Sequence, residues 1–418
     1  MSPRPEGLAA YVAVTAAYWA FRLTDGALRM RVLLHFHILG FSPIQLAYLF
    51  LLYEFAGMVT NLSAGWIAAR FGLTSTLYAG LALQIAALLA LAQLDPGWAL
   101  GLSVVYVMLV QGASGVAKDL AKLSAKSAGK LLAGEGALFR WVAVLTGSKN
   151  AVKGLGFLLG AALLGLAGFT ASVLGMAAVL AVILLAVVVF MPAGLPAGRR
   201  EAKFREVFSK DAEINRLSAA RMFLFAARDV WFVVGVPIYF YAVLSDGTAE
   251  GNRAAFFLIG SFMAVWIILY GAVQAAAPRI LRAKGQSLLA ITGMARLWVG
   301  LLVLVPAGLA VSVAAAGAPS APLTAVIVAG LLAFGFVFAI NSSVHSYLIL
   351  AFAKSERVSM DVGFYYMSNA AGRLLGTLLS GLSYQAGGLA LTLAVAAALA
   401  AVSFLIAGRL ERGLLARE

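Results

Sequence analysis

No cysteine occurs in the 418 residues, which excludes disulfides, thiolate metal sites and cysteine nucleophiles. Three histidines leave little scope for an imidazole metal centre, and no metal or other cofactor is expected. Charged residues make up 11% of the chain, and acids are the scarcer sign, 17 against 31 lysines and arginines. In place of charge there is apolar surface: 63% of residues are hydrophobic and the mean hydropathy is +0.96. Soluble domains sit near about 45–50% apolar residues, so the composition is that of an integral membrane protein. The apolar runs are roughly 20 residues long without strict alternation, which argues for helices over an outer-membrane barrel. Only Arg4 precedes the first run, which is too long and too polar for a signal-peptide core, so no cleaved signal is expected.

About twelve spans can be marked out: 9–38, 43–69, 74–93, 98–121, 136–165, 169–191, 217–244, 254–277, 287–310, 322–350, 360–384 and 387–408. Ser42-Pro43 reads as an N-cap followed by proline at the first helical position, and Asp95-Pro96-Gly97 as a tight turn. Lysine and arginine fall in alternate loops: Arg70, Lys122/Lys126/Lys130, the 199–216 stretch, Arg279/Arg282/Lys284, Lys354/Arg357 and Arg409/Arg412. The opposite loops hold Arg253 alone, so both termini are expected in the cytoplasm and the protein in an inner membrane. This placement accounts for most of the net charge of +14, which in a soluble chain would suggest nucleic acid; no nucleic-acid partner is expected, and a monomer is.

The polar stretch 192–216 separates an expected N-terminal six-helix unit, 1–191, from a C-terminal one, 217–418. Phe21-Arg-Leu-Thr-Asp25 has a counterpart in Phe225-Ala-Ala-Arg-Asp229. Lys149-Asn150-Ala151-Val152-Lys153-Gly154 is similar to Ser368-Asn369-Ala370-Ala371-Gly372-Arg373. Repeated six-helix units with a site between them are the build of many secondary transporters.

The first span carries Arg22, Asp25, Arg29, Arg31, His35 and His37. A cation at mid-membrane costs about 3 kcal/mol on insertion scales, so Arg22, Lys149, Lys153, Arg228 and Arg373 together cost about 15 kcal/mol. That equals a typical total stability, which argues that they serve a purpose. Internal carboxylates (Asp25, Glu54, Asp119, Asp229) are fewer, and a cavity with surplus positive charge suits a small polyanion. Arginine supplies a fork for phosphate or arsenate oxygens, lysine a point charge. Each residue also has a plainer reading. Arg22 and Asp25, three apart, either neutralise one another or serve the site. Lys149 and Lys153 repel on one face unless an anion joins them. Tyr366, Asn369 and Arg373 form a polar stripe, and Asn150 stands beside the lysines. Asn341 and His345 either bind substrate oxygens or make interhelical hydrogen bonds. Glu54 and the aspartates 25 and 229 are either proton-coupling groups or ion-pair partners. Arg29, Arg31, His35 and His37 are assigned to the outer interface by snorkelling. Gln111, Ser114, Lys118 and Lys122 mark an entrance path or a solvated helix end.

Gly65-Trp66-Ile67-Ala68-Ala69-Arg70-Phe71-Gly72 resembles the loop 2–3 signature of the major facilitator superfamily, with Ala69 where aspartate is usual. Gly65, Arg70 and Gly72 would then belong to its gating loop, with the usual acid missing. Gly147, Gly156, Gly160, Ala161 and Gly165 are similar to the fifth-helix motif of the superfamily's drug/proton antiporters, or are simple small-residue packing. The resemblance implies an all-α membrane protein of twelve transmembrane helices in two six-helix halves.

A narrower resemblance spans most of the chain. Leu23-Thr24-Asp25-Gly26-Ala27-Leu28-Arg29-Met30, His35-Phe36-His37, Tyr53-Glu54-Phe55, Ala117-Lys118-Asp119-Leu120, Leu145 to Asn150 and Ala227-Arg228-Asp229-Val230-Trp231 resemble the organoarsenical efflux transporters of the ArsJ type. It implies export of an arsenylated phosphoglycerate, arsenate resistance, and a functional link to the triose-phosphate dehydrogenase that makes this compound from arsenate. From the residues alone, a sugar-phosphate or glycerol-phosphate/phosphate antiporter fits as well. A membrane-embedded lipid-modifying enzyme does not: Asp25 and His35 are ten residues, about 15 Å, apart, too far for a catalytic pair within one span.

Overall fold

The computed structural model describes residues 8–132, 138–191, 209–282, 286–353 and 358–416, and among them all regular structure is helical. The helices are α1 (Leu8–Ile38), α2 (Pro43–Phe71), α3 (Leu73–Leu91), α4 (Leu100–Leu132), α5 (Leu138–Ala167) and α6 (Phe169–Phe190). They continue with α7 (Ala212–Leu244), α8 (Ala249–Ile280), α9 (Leu288–Ala316) and α10 (Ala321–Phe352). The last element, Val358–Leu415, breaks at Gly387 and Gly388, whose dihedrals are non-helical, and is treated as α11 (358–386) and α12 (389–415). Among the described residues ten helices are long and apolar enough to cross a membrane, with Asp361–Leu415 counted as one; α1, 31 residues long and carrying Arg22, Asp25, Arg29 and Arg31, is not among them. Much of the linker, with Lys126, Lys130, Lys284, Lys354 and Arg357, lies outside the described residues or side chains.

Local chemistry places the boundaries. The Ser42 hydroxyl accepts from Gln45 N (3.4 Å) while the Gln45 side chain accepts from Ser42 N (2.9 Å), a reciprocal cap ahead of Pro43. The Asp211 carboxylate accepts from the Glu213 and Ile214 amides (2.9 and 3.2 Å), so α7 starts at 212, five residues before the expected span. Gly72 and Gly168 take φ of +78° and +70° in the sharp turns α2–α3 and α5–α6, where only glycine is unstrained.

Packing follows small residues. A Cβ at Gly156 or Gly160 on α5 would collide with the Leu23 or Ala27 carbonyl of α1, and Gly372 and Gly376 on α11 meet the Met222 and Ala226 carbonyls of α7 in the same way. Close backbone approach is how helices associate in lipid, where burying apolar surface provides no drive. Gly156 and Gly160, two of the glycines that resemble an antiporter motif, thus pack α5 against α1. Replacing Gly160 by valine is expected to lower stability by about 1–3 kcal/mol, measured as a fall in Tm. The N- and C-terminal sets of helices meet through α2 with α11 and α5 with α8: Gly381 lies against Pro43 and Ala47, Gly154 against Ala264, and Gly271 against Asn150. One apolar core is drawn chiefly from α1–α4 and α6, a second chiefly from α7–α10 and α12. Between them the core is polar.

Candidate functional site

The polar seam runs through α1, α2, α4, α5, α7 and α11. Arg22 donates to Asp25 (2.7 Å), and the Tyr53 hydroxyl donates to the other oxygen of the same carboxylate (2.6 Å). Glu54, fully buried, accepts from Arg29 of its own side (2.9 Å) and from Arg373 of α11 (2.7 Å). The Arg373 Nε lies 3.7 Å from Asp229, whose other oxygen accepts from Arg228 at 2.6 Å. Lys118 sits 4.0 Å over the Tyr53 ring and 3.6 Å from Asp119; Asp119 also pairs with Lys122 (2.6 Å). A continuous chain of charge thus runs Arg29–Glu54–Arg373–Asp229–Arg228 across the α2–α11 contact.

Lys153 is the exception in this network. It is within electrostatic range of Arg22, Arg29, Arg228 and Arg373, and its ammonium packs 5.1 Å from the Phe157 ring. Among the described residues no carboxylate comes within 4.0 Å of it. Seven cations (Arg22, Arg29, Lys118, Lys122, Lys153, Arg228, Arg373) therefore share four carboxylates (Asp25, Glu54, Asp119, Asp229). An excess of buried positive charge is costly unless an anion completes it.

Of the residues expected from sequence, Arg22, Asp25, Glu54, Lys153, Arg228, Asp229 and Arg373 come together here. Asn150 is buried at the α5–α8 contact with its Nδ2 unsatisfied, and the Asn369 Oδ1 is likewise buried without a partner. Lys149 is half-buried on α5, and Tyr366 lies 5.9 Å from Lys122 at the α4–α11 contact. Asn341 is elsewhere: its amide donates to the Ala295 carbonyl (2.7 Å) and holds α10 on α9, the plainer of its two readings. His345 is buried on the same helix, away from the network. Arg70 is exposed, its guanidinium 5.9 Å from the Trp66 ring; Gly72 makes the turn into α3; the side-chain position of Gly65 lies outside the described residues.

Two assignments need correction. Arg29 does not snorkel to the interface but pairs with Glu54 in the seam, and Arg31 is wholly buried, donating to the Gly168 carbonyl beside the Phe169 ring. Lys118 is buried inside the network and not at a solvated helix end, while Ser114 donates to Gln84 of α3 (2.6 Å) and Gln111 is buried one turn before it. Both errors treated depth along a span as if it set exposure.

The glycine contacts also give a repeat register. Leu23/Ala27 on α1 and Met222/Ala226 on α7 occupy equivalent places, which sets Arg22 opposite Arg221 and Arg29 opposite Arg228. The sequence strings had matched Asp25 with Asp229, five residues away. Arginines seven apart in both spans were the signal that would have found this. Beyond Arg228, α7 widens to a π-turn at Trp231–Gly235, since Pro237 cannot donate to the ladder, and the Ser380 hydroxyl takes the Val234 and Gly235 amides (3.1 and 3.2 Å).

The fold and seam together define a multi-pass membrane protein with an ionic network between two sets of helices. No protein-family profile matches the sequence, and no curated protein matches it. Solved structures do. A nucleoside transporter, NupG, in the form of a point mutant, matches with a TM-score of 0.69 at 15% identity over 96% of this chain and 98% of its own. An inward-facing bacterial homologue of the iron transporter ferroportin matches at 0.70 and 13%, covering 96% and 98%. A POT family transporter in complex with a thioalcohol-conjugated peptide matches at 0.70 and 15%, covering 96% and 97%. These similarities show the fold, an all-helical one shared with these transporters.

Proposed function

We propose that the chain is a secondary active transporter that exports a small phosphorylated or arsenylated organic anion by alternating access. The observation that carries this reading is Lys153, a cation among four arginines with no carboxylate within 4.0 Å among the described residues. The surplus charge of the seam fits an oxyanion and opposes a cationic substrate. With α1 counted as a span and the last element as two, the chain makes twelve crossings. These form two halves, 1–191 and 217–418, joined by a cytoplasmic link at 192–216 and set in an inner membrane with both termini inside. The loop cations support that orientation.

Glu54 is the device that couples substrate to movement. It ties Arg29 on the N-terminal side to Arg373 on the C-terminal side, so an incoming oxyanion competes with it for the same guanidinium groups. A freed Glu54 can take up a proton, with Asp25 and Asp229 the other carboxylates placed to do so. Charge-neutral replacements of all three that leave transport undiminished and independent of pH would sink this coupling.

Within the class we infer an arsenylated phosphoglycerate, linked to a triose-phosphate dehydrogenase that produces it. The support is that four of the six strings carrying the resemblance, from separate spans, converge: Asp25 and Arg29, Tyr53 and Glu54, Lys118 and Asp119, Arg228 and Asp229. The test uses inside-out vesicles given arsenate, triose phosphate, nicotinamide cofactor and the dehydrogenase outside. Arsenic is expected to accumulate only with all four present. Accumulation without the dehydrogenase overturns the substrate, and obligatory exchange with inorganic phosphate points to a sugar-phosphate antiporter instead.

A further inference from the structure

Seven residues before Arg228, Arg221 lies on the same face of α7, about 10 Å nearer the start of the helix. It is 4% exposed, yet among the described residues no carboxylate is within 4.0 Å. Its guanidinium donates to the Ser342 carbonyl (2.9 Å) and lies 4.2 Å from the Phe225 ring and 5.0 Å from that of Tyr365; its Nε has no partner. The charge that acts on His345 is that of Arg221. His345 is completely buried with neither ring nitrogen hydrogen-bonded, and the Ser218 hydroxyl, one turn before Arg221, is 1% exposed and also without a partner.

The repeat register explains why this place is short of one negative charge. Opposite Arg221 stands Arg22, whose charge is met three residues later by Asp25. The position equivalent to Asp25 is Leu224, so the C-terminal helices keep the arginine and lack its acid. A buried guanidinium, an imidazole and a hydroxyl, all with unused hydrogen-bonding capacity, form a donor set for an oxyanion.

We propose that Arg221, His345 and Ser218 form a second oxyanion subsite, on the side of the central network from which α7 enters. It rests on the transporter reading only for the ligand's class, a small phosphate-like anion. Two sources supply that chemistry: the transported anion on its way to Lys153, or a resident inorganic ion standing in for the missing carboxylate.

The test titrates the full chain in lipid nanodiscs with inorganic phosphate by calorimetry. Wild type is expected to bind two equivalents. Arg221→Gln and Leu224→Asp each lose one, Leu224→Asp because it provides the internal partner that Arg22 already has. Lys153→Gln weakens the other by about 10–100-fold and leaves this one intact. A folded Arg221→Gln or Leu224→Asp chain that still binds two equivalents overturns the proposal, as does a single wild-type equivalent that Lys153→Gln abolishes. A single equivalent lost in Arg221→Gln and untouched by Lys153→Gln supports the subsite and overturns the central reading. Leu224→Asp keeps the test decisive if Arg221→Gln fails to fold. With the site established, vesicle transport by Leu224→Asp distinguishes the sources: a tenfold or greater slowing identifies the transported anion, an unchanged rate a resident ion.

Discussion

Replacing Lys153 by methionine is expected to make the protein more stable and less active. A half-buried ammonium among arginines, with no carboxylate within 4.0 Å among the described residues, costs folding energy, and methionine fills similar volume without charge. The thermal midpoint of the ligand-free protein should therefore rise. Substrate binding should fall, because a hydrogen bond to a charged group contributes about 1.5–3 kcal/mol, or roughly 10–100-fold in affinity. If Lys153 were structural, the signs would reverse: stability would drop and transport would follow the amount of folded protein. Midpoints and initial rates measured on the same preparation separate the two.

The second large effect is at Glu54. Its carboxylate serves Arg29 and Arg373 at once, at 2.9 and 2.7 Å, and is wholly buried. Glu54→Gln leaves two guanidinium groups without their anion, and removing one partner of a buried ion pair costs about 3–5 kcal/mol. The ligand-free variant should be correspondingly destabilised. The same change removes the competitor for those arginines, so phosphate should bind the variant more tightly than wild type and restore much of the lost midpoint. Transport should nonetheless fall, because the link between the two sides no longer alternates between Glu54 and substrate. A variant that is destabilised and gains nothing from phosphate would show that Glu54 is a structural pair and no more.

Several of these groups could be read directly from sequence. Arg22 and Asp25 stand three apart on a helix, and the structure pairs them at 2.7 Å. Glu54 in the middle of a long apolar span had to find cations, and it found two. Lys149 and Lys153 lacked any acid nearby in sequence, and for Lys153 none arrives from elsewhere among the described residues. The break at Gly387–Gly388 falls just after the expected gap at 385–386, at the start of the last expected span.

The misjudged residues have a common cause. Arg29 and Lys118 lie away from the middle of their spans, where contact with water is the ordinary expectation, but α2 covers both levels, supplying Glu54 to Arg29 and the Tyr53 ring to Lys118. Contacts between helices distant in sequence cannot be read from one helix's periodicity. The same holds for the repeat register. The eye matches the strings ending in Asp25 and Asp229, whereas the glycine contacts of α5 and α11 align the backbones five residues away. That shift turns Arg221 from a cation near a span end into the counterpart of Arg22.

The central claim is that the seam recognises a small oxyanion, whereas the solved relatives of this fold include a nucleoside transporter and a homologue of an iron transporter. The most direct measurement is the thermal midpoint of the purified chain in lipid nanodiscs with phosphoglycerate, a neutral nucleoside or a divalent cation. Stabilisation by phosphoglycerate alone, weakened by added salt and lost in Lys153→Met, is the predicted result. Stabilisation by the nucleoside or the cation, with phosphoglycerate inert, would contradict the account.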